Sequence, residues 1–126
     1  MPQSLPLVYS CSGCSDVAQM ANDFALRLAR EELAEMSCIA GVGGGVEALL
    51  RVARQGRPIL ALDGCPLHCV RACLARAGVK ATQEINLGHY GVRKTRSFAY
   101  DPDQAEEVWR NAILPAIAAL GSPVAA

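Results

Sequence analysis

Residues 58–66 read PILALDGCP. An unbroken apolar run, Ile59 to Leu62, is bounded by a proline on one side and Asp63-Gly64 on the other. That is the pattern of a short strand buried in a sheet, and residues 58–63 are predicted as one. Gly64-Cys65-Pro66 then turns the chain. Pro66 suits the first position of a helix, where its missing N–H is not needed, and that helix is predicted to run to about Ala77, closed by Gly78.

Working outward, the same alternation recurs on both sides. Residues 5–10, LPLVYS, make a second apolar run that ends abruptly in CSGCS. From Asp16 to about Glu35, apolar residues Val17, Met20, Phe24 and Leu28 return every three or four positions, as one helix face requires. Ser15 is placed to cap that helix through its hydroxyl. A strand is predicted at 36–40, followed by the flexible GVGGG at 41–45 and a helix from Val46 to Gln55 that Gly56 stops. Downstream, residues 82–87 form a more polar fourth strand. The last helix is capped by Asp101, starts at Pro102, has Gln104 in capping-box position and is predicted to kink at Pro115.

Strand and helix alternating in this way call for crossover connections and a parallel sheet. The expected fold is α/β: a small doubly wound three-layer sandwich with a four- or five-stranded, mainly parallel sheet. Its predicted order is 2-1-3-4, with helices on both faces. At 126 residues, with 52% hydrophobic side chains, the chain fits one domain over 1–126.

Composition excludes several classes. Twelve basic and twelve acidic residues give zero formal charge, so a phosphate-tracking nucleic-acid surface is disfavoured. Arg93, Lys94 and Arg96, with His89 upstream, read as a solvated loop rather than an anion patch. No apolar stretch approaches a membrane span, and the N-terminus lacks the basic lead and long apolar run of a secretory signal. The expected location is therefore the cytoplasm, with no membrane or nucleic-acid partner. Ile113, Leu114 and Ile117 read equally as core or as the face of a homodimer.

Six cysteines in such a chain are heavy usage. In a reducing compartment they read as metal ligands or reactive thiols rather than disulfides. Cys11 and Cys14 follow the first strand, Cys38 lies at the end of the second, and Cys65 follows the third. Cys69 and Cys73 come one and two turns into the next helix. A parallel sheet brings all these strand ends to its carboxyl edge, where open α/β sheets bind ligands. Cys14 and Cys65 also stand where helices begin, and helix N-termini favour negative charge. The predicted metal set is Cys11, Cys14, Cys38, Cys65 and Cys69, with zinc as the ion. Cys73 is read as too deep in its helix to take part, and His68 as pointing outward.

CSGCS, MSCIAGVGGG and DGCPLHC together make the chain resemble the DGC-domain family, from the first strand to the GVRK segment ending at Lys94. The resemblance implies zinc binding through four chelating cysteines, which map here to Cys11, Cys38, Cys65 and Cys69. The family often carries another residue where this chain has Cys14. Two other chemistries fit the same thiols. One is redox or sulfur transfer by Cys11 and Cys14, and the other is an iron–sulfur cluster. With four thiolates a zinc site is closed, whereas with three it leaves a place for an activated water. Whether the protein is an enzyme is left open by the sequence. No Ser/His/Asp constellation is present, and GVGGG reads as turn chemistry rather than a phosphate cradle.

Overall fold

The computed structural model describes residues 5–64, 66–95 and 99–120. Four strands, β1 (Leu7–Ser10), β2 (Glu35–Met36), β3 (Ile59–Asp63) and β4 (Gln83–Asn86), form one sheet in the order β2-β1-β3-β4. Every pairing is parallel: Leu7 faces Glu35 and Ile59, and Leu60 faces Gln83. The predicted strand order is the observed one.

Side chains alternate across the sheet, and each face is covered. Val8, Leu60, Leu62 and Ile85 pack beneath α1 (Asp16–Arg30), α5 (Pro102–Val108) and α6 (Leu114–Leu120). Leu7, Tyr9, Ile59 and Ala61 pack against α2 (Ile39–Gly43), α3 (Glu47–Ala53) and α4 (Cys69–Arg76). The predicted three-layer arrangement is thus present. Tyr9 is core. Its hydroxyl is buried, and burial pushes its pKa above the usual value.

Trp109 anchors the first face. It is 2% exposed, tilts against Phe24 at 6.0 Å and carries the Arg27 guanidinium 4.0 Å above its ring. Ile113 and Ile117 are buried in the same cluster, with Leu114 partly buried against it. Their periodicity is therefore used by the chain's own core. Among the described residues, no helix is long and apolar enough to cross a membrane.

Five local expectations are corrected. Helix α1 ends at Arg30 rather than near Glu35, because Glu32 turns into the left-handed region at φ 58°. That turn frees Glu35 and Met36 to pair with β1. The second strand stops there instead of reaching residue 40, since Cys38 already caps a short helix, α2, built from part of the glycine-rich stretch. Helix α4 starts at Cys69, not at Pro66. Gln104 donates to the Gly91 carbonyl at 3.1 Å instead of closing a capping box, although Asp101 does cap α5 by accepting from the Asp103 amide. The last helix is interrupted by one wide turn, Trp109–Ile113, in which the Leu114 amide reaches back to Trp109. The interruption immediately precedes Pro115, whose ring would otherwise clash with the carbonyl one turn earlier.

Candidate metal centre

Two residues at the end of β3 set up the site. Asp63 is buried, and its carboxylate accepts from the amides of Val70 at 2.8 Å and Arg71 at 3.3 Å. It therefore caps α4 from outside that helix, taking amides that no intrahelical carbonyl can reach. His68, immediately before the helix, has φ 54° and no capping hydrogen bond of its own. The turn at Pro66 and Leu67 is what lets Asp63 reach the helix end.

Gly64 is the second. A Cβ at this position would lie 2.6 Å from the backbone carbonyl of Val17. Any side chain would push the end of β3 away from the start of α1. With none, the Gly64 amide comes close enough to donate to the Cys11 sulfur at 3.1 Å. Cys11 follows β1 directly, and its own amide donates to the Leu62 carbonyl of β3. Ser15 caps α1 by accepting from the Ala18 amide at 3.1 Å, which holds the CSGCS loop over the helix N-terminus.

At the carboxyl edge these segments enclose an open cleft of about 380 Å³. Cys11, Cys14, Cys69 and Cys73 line it together with Ile39, Leu67, Val70 and Lys94. Cys14 and Cys69 are exposed, Cys11 and Cys73 half-buried. Cysteines up to 62 positions apart in the chain are therefore gathered on one cavity, as the topology of a parallel sheet requires. Three of the five predicted ligands, Cys11, Cys14 and Cys69, are on the cleft wall. Cys38 is exposed, is absent from that wall, and accepts from the Gly41 amide at 3.4 Å as the N-cap of α2. Cys65 lies outside the described residues.

Two residues on the wall were read otherwise from the sequence. Cys73 was read as too deep, yet it lies one turn beyond Cys69 on the same wall of α4. Lys94 was read as part of a solvated loop. Its neighbour Thr95 fixes it: the Thr95 amide and hydroxyl both bond the Asp16 carboxylate, the hydroxyl at 2.6 Å. Asp16 is the first residue of α1, and the Thr95 hydroxyl holds its pKa below the usual carboxylate value. The GVRK segment was the available signal for Lys94, but charge along a loop does not reveal which cavity the loop closes. A cation here favours negative charge in the cleft.

The donor chemistry suits a soft metal, since thiolates are what zinc and similar ions take. Among the described residues, no three His, Cys, Asp or Glu side chains stand close enough together to hold a metal ion.

A parallel α/β sheet with a thiol-lined cleft at its carboxyl edge defines a class of cysteine-rich proteins. Within it, this chain belongs to the DGC domain family, whose model matches residues 7–112. It is also 61% identical over 105 residues to the anaerobic and virulence modulator AnvM of Pseudomonas aeruginosa, covering 83% of this chain and 80% of that one. No solved structure matches the chain.

Proposed function

We propose that this protein binds zinc through thiolates gathered at the carboxyl edge of its sheet, drawn from Cys11, Cys14, Cys38, Cys65 and Cys69, in the cytoplasm. The single observation that carries the reading is the cleft wall shared by Cys11, Cys14 and Cys69. Cys65 joins them on the strength of its place in the DGC motif. Zinc bound by four thiolates would cross-link β1, β3 and α4; with three, it would supply a Lewis-acid site in the cleft. The relative's name attaches to anaerobic life and virulence in its own organism, and a modulator role suits a metal-binding protein here as well.

Elemental analysis of protein purified without added metal tests this. About one zinc per chain is expected, falling well below that in Cys65→Ser. Full zinc content in that variant would sink the assignment of Cys65. A second reading, thiol redox chemistry at Cys11 and Cys14, is favoured by one feature: an exposed Cys14 beside a half-buried Cys11. It predicts a reversible disulfide and thiols that react fully without chelator. Iron and sulfide in place of zinc would assign an iron–sulfur cluster instead.

A further inference from the structure

We infer that the cleft receives an anionic low-molecular-weight disulfide, with Lys94 holding its carboxylate and Cys14 taking its sulfur. The inference needs no metal; it rests on the thiol reading above and names the reagent class for it. Charge selects the anion. Among the described residues no acidic side chain lines the cleft, and Lys94 is the cation there. Asp16 is buried, and its carboxylate is occupied by Thr95 and by the Val17 amide. The chain as a whole has zero formal charge, so attraction of an anion to this cleft is a local property.

Position selects Cys14. The bonds from Thr95 to Asp16 fasten the Lys94 segment to the first residue of α1, and Cys14 stands two residues before it. Lys94 is thereby held at the positive end of a 15-residue helix, the end that carries Cys14. An exposed thiol in an electropositive setting is the environment of reactive rather than structural cysteines. Ile39, Leu67 and Val70 offer apolar wall for a carbon stem, and about 380 Å³ is room enough for a small molecule. Cys38 is equally exposed but off this wall, with the Gly41 amide on its sulfur. In the step itself the Cys14 thiolate attacks one sulfur of the reagent and the reagent's S–S bond breaks. A mixed disulfide forms on Cys14, which is oxidised, and the other half of the reagent leaves as a reduced thiolate that takes a proton from water.

Three disulfides of similar size but different charge test this: dithiodipropionate (anionic), bis(2-hydroxyethyl) disulfide (neutral) and cystamine (cationic). Reduced protein, with and without chelator and checked for native circular dichroism, is treated with each. Peptide mass mapping then follows capping of Cys14 relative to Cys38, which cancels the reagents' intrinsic reactivities. The ratio is expected to be about 5-fold higher for the anionic reagent than for the neutral one, as an exposed ion pair supplies, and lowest for the cationic one. Lys94→Gln is expected to bring the three ratios together. Equal ratios in wild type, or an anion preference that survives in Lys94→Gln, overturn this inference and leave the thiol reading standing. Capping of Cys69 in place of Cys14 overturns the assignment of Cys14. No capping of any cleft cysteine by any reagent overturns the inference together with the thiol reading.

Discussion

Gly64 and Asp16 show how single residues hold the cleft. Gly64 tolerates no side chain because the backbone of Val17 occupies the space a Cβ would need. Gly64→Ala is expected to cost about 3 kcal/mol, since backbone rather than a flexible side chain must give way. Urea unfolding measures it. Asp16 governs an acid limb of stability. Its folded pKa is lowered, chiefly by the Thr95 hydroxyl, so on acidification the unfolded chain takes up the proton first. The contribution is complete above the unfolded value of about 3.9 and is lost as pH falls through the lower folded value. Thr95→Val is expected to raise the Asp16 pKa toward normal and flatten that limb. An NMR titration of the Asp16 carboxyl checks the shift, and an unmoved pKa would deny Thr95 its role.

At the scale of elements, α4 is positioned by a cap it does not contain. Asp63 reaches from β3 to two of its first amides, so the strand and the helix that carry Cys69 and Cys73 are joined by one carboxylate. Asp63→Ala is expected to destabilise by about 1–2 kcal/mol. Asp63→Asn retains one acceptor and should lose less. Guanidinium titration of the pair orders them, and equal loss would show that charge rather than acceptance matters. The Asp-Gly of the motif thus has a structural basis in each letter: the acid caps α4, and the glycine admits α1.

Over the whole molecule, the proposed zinc binding would be linked to folding. The cleft wall is built from the loop after β1, the start of α1, Ile39 of α2, α4 and Lys94, which come together only in the folded chain. An ion that binds there and not to the unfolded state stabilises by mass action, about 2.7 kcal/mol at one hundred times its dissociation constant. Chelation is therefore expected to lower the Tm by about 10 °C. Differential scanning calorimetry with and without chelator decides it, and coincident transitions would argue against a site that joins these elements.

The alternation of apolar strands and helical faces was enough to determine the order 2-1-3-4 of a mainly parallel sheet, though not whether it has four strands or five, and to send Cys11, Cys14 and Cys69 to one edge. Both follow from local periodicity and from the polarity shared by parallel strands. The stretch from 31 to 45 was not legible in that way. Its residues suit a strand and a loose loop, but only Glu35 and Met36 find a partner in β1, and α2 forms where packing on α4 demands small residues. Likewise Cys73 and Lys94 enter the cleft, while Cys38 turns to a helix end. Sequence spacing tells which residues share a strand end or a helix face. Which sulfur meets which depends on contacts between elements far apart in the chain, and only the tertiary packing sets those.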